Sequence, residues 1–154
     1  MKTYRHISTA QFGFTLAETL LGVVFLAIGA GAAAPSVATH LEERRVELAV
    51  KDIVSIEHAL ERYRTIHHAL PDSLDQLGVP VPVDPWGRAY EYFNFTSRGL
   101  SEQRVYHSLP LNSDYDLYSR GRDGYTDLMI NAAPARNNIV RGRDGEFIGL
   151  AADF

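Results

Sequence analysis

FTLAETLLGVVFLAIGAGAAAPSVATHL, residues 14–41, carries Glu18 as its one charged side chain apart from His40. A helix that crosses a membrane needs about 20 predominantly apolar residues, so this stretch is long enough to span. The preceding MKTYRHISTAQFG, residues 1–13, holds Lys2 and Arg5 and no acid. A positive segment on that side predicts a cytoplasmic N-terminus and translocation of the rest of the chain. An ordinary secretory signal shows the same charge pattern, with a shorter apolar region and a small-residue cleavage site. Ala32-Ala33-Ala34 imitates such a site, but Pro35 follows it at once, which is unfavourable for cleavage. On composition alone, anchor and signal both stay open.

Outside this stretch the chain is ordinary. It has 154 residues, 45% hydrophobic and 22% charged, which fits one domain and argues against a disordered, collagen-like or polytopic membrane protein. A net charge of -4 offers no basis for binding nucleic acid. With no cysteine, disulfides, thiol catalysis and thiolate metal sites are excluded. There is no G-x-S-x-G, no Walker loop, no H-E-x-x-H and no G-x-G-x-x-G after a strand, so no local signature of an enzyme is present. An anchored periplasmic enzyme or ligand-binding domain therefore lacks a site in the sequence.

Past Leu41 the chain turns polar while a helical period persists. Ala49, Ile53, Ile56, Leu60 and Tyr63 recur at spacings of three and four, the apolar stripe of an amphipathic helix. Charges of both signs, among them Glu42, Arg45, Lys51, Glu57, Glu61 and Arg64, fill the other faces, as on a solvated surface. One helix is expected from about Leu16 to about His67. Within it Gly29, Gly31 and Pro35 each weaken helical backbone, leaving two readings open: a bent, continuous helix, or a segment that melts when subunits pack. His67-His68 with Pro71 following marks a helix stop rather than a metal site, since adjacent histidines cannot face one ion from a helix.

Beyond the helix, Val79-Pro80-Val81-Pro82-Val83 reads as an extended connector, because two prolines remove ladder donors. Asp84-Pro85-Trp86-Gly87 reads as a tight turn with a tryptophan over the core, opening the strand candidate Arg88–Phe93. Further strand candidates are Arg104–Ser108 and Tyr115–Ser119. A helix followed by short strands gives an α+β fold in which the sheet packs on the amphipathic half of the helix. The tail repeats one tetrapeptide, as Gly121-Arg122-Asp123-Gly124 and Gly142-Arg143-Asp144-Gly145. Two D-G turns explain the repeat without a function.

Gly13-Phe14-Thr15-Leu16-Ala17-Glu18 resembles the processing signal of type IV pilins and type II secretion pseudopilins. In that family a prepilin peptidase cuts after the glycine and methylates the new N-terminal phenylalanine. The resemblance makes 1–13 a leader, 14–41 a transmembrane and assembly helix, and 42–154 a periplasmic globular domain. Pro35 then falls where the family commonly has a helix-kinking proline. Asp84-Pro85-Trp86-Gly87 followed by Tyr90 and Tyr92 is similar to the turn that opens the sheet of the major pseudopilins. His68-Ala69-Leu70-Pro71-Asp72-Ser73-Leu74 stands where the family commonly reads G-x-Y-P-x-S-L, with the glycine and tyrosine replaced.

The resemblance implies a type IV pilin-like fold. Its long N-terminal helix has a membrane-spanning half and an amphipathic half, the latter packed on a small antiparallel sheet with a long C-terminal loop region. It implies a structural subunit, not an enzyme, that polymerises into a pseudopilus to export folded proteins. Its partners would be further copies of itself, minor pseudopilins, prepilin peptidase, an inner-membrane assembly platform and membrane lipid. It would sit in the inner membrane as a single-pass protein with a cytoplasmic N-terminus, then move into a periplasmic fibre. A type IV pilin for adhesion, motility or DNA uptake is the alternative. Glu18 reads in two ways, as an acid tolerated at a helix start, where the macrodipole favours it, or as the partner of the Phe14 ammonium of a neighbouring subunit.

In related pseudopilins an acidic C-terminal loop reading S-x-G-x-D-G binds calcium in place of a disulfide. Here Ser119-Arg120-Gly121-Arg122-Asp123-Gly124 fits that pattern, and Asn137-Asn138 stands where an acidic pair is usual. The resemblance thus implies a calcium site at Ser119, Asp123, Asn137 and Asn138. Two lost charges and five nearby arginines (Arg120, Arg122, Arg136, Arg141 and Arg143) weaken it, and a solvated cluster of turns stays open beside it.

Overall fold

The computed structural model describes residues 15–154, except for the side chains of residues 26–36. The expected leader 1–13 and the cleavage pair Gly13–Phe14 lie outside the described residues. The described chain divides after His40 into two units.

In the first unit, helix α1 (Leu16–His67) begins at Leu16 and is helical through Gly29, Gly31 and Pro35. Among the described residues no helix is long and apolar enough to cross a membrane. The apolar stretch read from the sequence includes Phe14 and the side chains of 26–36, which lie outside the described residues.

The second unit is built on the last turns of α1. Ala49, Ile53, Ile56 and Leu60 are buried there, as their period requires, and Tyr63 is half-buried against His67 with ring centroids 4.1 Å apart. Burying an Ile or Leu side chain contributes about 1.5–3 kcal/mol, so this stripe anchors the unit. The helix stops at His68, whose φ of 55° is left-handed. This is the usual place for a glycine beyond a helix C-terminus.

The chain then forms β1 (Glu91–Asn94), the one-turn helix α2 (Phe95–Arg98), β2 (Val105–Tyr106), β3 (Leu109–Pro110), β4 (Tyr115–Ser119), β5 (Ile139–Gly142) and β6 (Phe147–Leu150). Strands β1, β4, β5 and β6 pair in that order as an antiparallel sheet, with Tyr92 opposite Leu117, Tyr118 opposite Val140 and Val140 opposite Gly149. Both faces of the sheet are covered. Tyr115, Leu117 and Ile139 join the stripe of α1, with Tyr90 and the half-buried Trp86. Val140 packs with Leu111, Ile130 and Ala151 under Tyr106, Tyr118, Phe147 and Phe154.

Two expectations change. Arg104–Ser108 is not a strand of the sheet: only Val105–Tyr106 is extended, paired with β3 as a separate ribbon. His107 and Ser108 turn that ribbon at φ 47° and 68°, the positive pair that a two-residue hairpin requires. The tail is not a long loop throughout, because β5 and β6 complete the sheet. In each of these strands adjacent apolar residues serve opposite faces, Ile139 and Ile148 toward α1, Val140 and Phe147 toward the second cluster. Such short two-sided strands show no alternation in sequence.

Arg141 joins the layers. Its Nε donates to Glu57 Oε1 of α1 at 2.6 Å, and its Nη1 and Nη2 donate to the Asp114 carboxylate at 2.8 and 3.1 Å. Burial alone would lower its pKa, but the Asp114 and Glu57 carboxylates hold it above the ordinary value. A guanidinium pairing two carboxylates in this way makes charge-assisted bonds about twice as strong as neutral ones.

Candidate functional site

Two places carry the residues singled out from the sequence. The first is the start of α1. Thr15 precedes the first helical residue, and its Oγ1 accepts from the Glu18 N–H at 3.3 Å. Glu18 Oε2 in return accepts from the Thr15 N–H and Oγ1, both at 2.9 Å. This reciprocal pair is a capping box, satisfying two donors that a helix start leaves free. The T-x-x-E spacing signals it, and the sequence reading of Glu18 passed over it. The next turns expose Leu16, Leu20, Leu21, Val23, Val24 and Phe25, with Leu16 at 86% and Phe25 at 66%. Contiguous apolar exposure on this scale marks a surface meant for lipid or another chain. Pro35 lies in the helical backbone, with its side chain outside the described residues.

The second place is the loop 119–127. It hangs from the Asp84-Pro85-Trp86-Gly87 turn, which does more than carry a tryptophan. Asp84 Oδ1 accepts from the N–H groups of Trp86 (3.1 Å) and Arg88 (2.8 Å), while Oδ2 accepts from the Ser119 hydroxyl at 2.6 Å. Ser119 Oγ in turn accepts from the Gly121 N–H at 2.9 Å. Asp84 and Ser119 are both buried, so this chain of bonds forms away from water, where an unmade bond costs most.

Of the four residues predicted to gather here, Asp123 and Asn137 meet: Asn137 Nδ2 donates to Asp123 Oδ2 at 2.7 Å, and Asp123 Oδ1 accepts from the Tyr125 N–H at 3.1 Å. Asn138 is buried beneath the loop. Its amide meets Thr126 Oγ1 at 2.6 Å on one side and the carbonyls of Tyr125 (2.8 Å) and Arg120 (3.2 Å) on the other; turned so that nitrogen faces the carbonyls, it donates to both and its Oδ1 accepts from Thr126. Ser119 is turned away to Asp84. Among the described residues no three histidines or carboxylates converge on one point.

Two arginines that the sequence reading did not single out face the same loop. Arg88 Nη2 donates to the Gly121 carbonyl, and its guanidinium lies beside Gly124. The buried Arg104 donates through Nη1 to the Asp127 carbonyl at 2.9 Å and through Nη2 to Thr126 Oγ1. Its guanidinium carbon sits 3.4 Å from the centre of the Tyr118 ring. Neither guanidinium lies within ion-pair distance of a carboxylate among the described residues. Hydrogen-bond partners 22 to 33 positions apart leave no local signal in sequence.

The chain is similar to proteins named type II secretion system core protein G. That of Pseudomonas aeruginosa is 31% identical over 148 residues, covering 82% of this chain and 94% of its own length. That of Vibrio cholerae is 30% identical over 125 residues (80% of this chain, 81% of the relative), and that of Escherichia coli 28% over 135 residues (74% and 83%). No family model and no solved structure matches the chain.

Proposed function

This chain belongs to the family of type II secretion system core protein G, and from that premise we propose how it is processed and assembled. It is a structural subunit of a pseudopilus and not an enzyme. The leader 1–13 is removed after Gly13, and Phe14 becomes the methylated N-terminus. The stretch 14–41 holds the subunit in the inner membrane with its N-terminus cytoplasmic. Subunits then leave the bilayer and stack through this helix into a periplasmic fibre, with minor pseudopilins and an inner-membrane platform as partners.

The observation that carries this reading is the exposed apolar run from Leu16 to Phe25 on a capped helix. Such a surface needs lipid before assembly and a second subunit after it. Glu18 is the one acid in that run, and an acid within lipid costs a few kcal/mol unless it is neutralised or paired. The ammonium that cleavage creates on Phe14 of an incoming subunit supplies the pair.

Mass spectrometry of the chain recovered from cells tests the processing step: a mature form starting at methylated Phe14 is expected, and cleavage after Ala34 would reject it. Glu18→Ala, expressed without a wild-type copy, should insert in the membrane and yield no fibres. Normal fibre yield would remove Glu18 from assembly.

A further inference from the structure

We propose that the loop 119–127 is held shut by cationic and amide donors of the chain itself, in the position where the pseudopilin resemblance implies calcium. A calcium site gathers six to eight oxygens, carbonyls among them, and its affinity follows the negative charge of the ligands. Several oxygens that such an ion would draw on already face protein donors. The Gly121 carbonyl accepts from Arg88, the Asp127 carbonyl and the Thr126 hydroxyl from Arg104, and the carbonyls of Arg120 and Tyr125 from the Asn138 amide. Both Asp123 oxygens accept locally, from Asn137 and from the Tyr125 N–H.

Asn138 is the decisive residue. It uses its NH2 group toward two loop carbonyls and its oxygen toward Thr126, and Thr126 accepts from Arg104 in turn. An aspartate at this position has no donor when ionised, and it would face two carbonyl oxygens with none. With its nitrogen toward those carbonyls, the asparagine serves as the donor that a metal-free loop requires; with its oxygen there, it would be a metal ligand, and melting in calcium against chelator separates the two. Arg88 and Arg104 point the same way. Each brings a full positive charge to loop oxygens with no carboxylate at ion-pair distance among the described residues. That arrangement attracts carbonyl dipoles and opposes a second cation, against the pull of Asp123, Asp127 and the buried Asp116 that accepts from the Arg104 N–H.

The test uses the full chain in detergent micelles, with melting followed in millimolar calcium chloride and in chelator. The wild type should melt at the same temperature in both. An increase of several degrees with calcium would overturn the proposal. Asn138→Asp should melt lower than the wild type in chelator. If it melts with the wild type there and rises with calcium, the residue is a metal ligand and the proposal fails. Arg88→Met keeps side-chain length without donors or charge. Amide exchange from Gly121 to Tyr125 should then quicken by about tenfold or more, the scale of one lost charge-assisted bond, while exchange in Ala49–Leu60 stays unchanged. Unchanged exchange in the loop would count against Arg88. Should Arg88→Met not fold, the calcium and chelator melts of the wild type decide alone.

Discussion

Gly121-Arg122-Asp123-Gly124 and Gly142-Arg143-Asp144-Gly145 are the same four letters in two different backbones. In the first copy the outer glycines take φ of 66° and 75°, and the loop wraps onto the Asn137 carbonyl. In the second, Gly142 is extended at the end of β5, and Arg143, Asp144 and Gly145 all turn left-handed, at 52°, 54° and 99°. The aspartates find partners of the same chemistry at different places. Asp123 caps the Tyr125 N–H and receives Asn137, whereas Asp144 receives the Ser113 N–H at 2.7 Å and its hydroxyl at 2.8 Å. What separates the copies is their flanks. The second is clamped between β5 and β6, whose register leaves it no choice; the first spans from β4 to nothing regular and takes its shape from Asp84, Arg88 and Asn138. Local propensity proposes a turn in both, and distant partners decide which turn.

The largest test of this contrast is Gly121→Ala. A Cβ there would stand 1.7 Å from the Asn137 carbonyl oxygen, at a φ of 66°. Backbone cannot yield as a side chain can, so a loss of more than about 3 kcal/mol is expected. Thermal melting should show it as a fall of roughly 10 °C for a chain of this size. Gly145→Ala meets the end of a side chain instead, Glu57 Oε1 at 2.5 Å, at a φ of 99°. Glu57 can swing aside, though only by loosening its bond to Arg141, so about 1–2 kcal/mol is expected. If the two substitutions cost the same, the claim that distant partners shape the first copy and strands the second is wrong.

Asp144→Asn is the mildest test. The N–H of Ser113 holds the Asp144 carboxyl below the ordinary range, against the opposing effect of burial. A carboxyl lowered in the folded state adds stability above its unfolded value, about pH 4, and loses it as pH falls through the folded value. The side chain is exposed, so the wild type should lead the variant by less than about 1 kcal/mol at neutral pH. That lead should shrink on acidification from pH 4 toward pH 2, as paired urea titrations at several pH values would show. A lead constant across that range would mean that the bond owes nothing to ionisation.

How much of this could be read beforehand follows the range of the interactions. The stripe Ala49, Ile53, Ile56 and Leu60 announces its burial because helical period is local, and Tyr115–Ser119 is legible as a strand for the same reason. The capping box at Thr15 and Glu18 was equally local and open to the spacing alone. Strands β5 and β6 were hidden because two apolar residues facing opposite sides look like any short apolar pair. The threefold role of Asp84 was hidden differently, since its partner Ser119 lies 35 positions away. So was the donor role of Asn138, because an asparagine offers oxygen and nitrogen alike and only its neighbours choose between them.

The second half of α1 is fastened to the sheet side by two bonds, Tyr90 Oη to Asp52 at 2.8 Å and Arg141 Nε to Glu57 at 2.6 Å. Five residues separate them, about 7–8 Å along the axis. A pull directed along the helix therefore strains both fastenings together, as a lap joint is sheared, instead of opening one and then the other as a peeled seam does. Resistance to such a pull is a matter of rupture rate rather than of equilibrium stability. Under the proposed assembly, a pull along this part of the helix would load both bonds in shear.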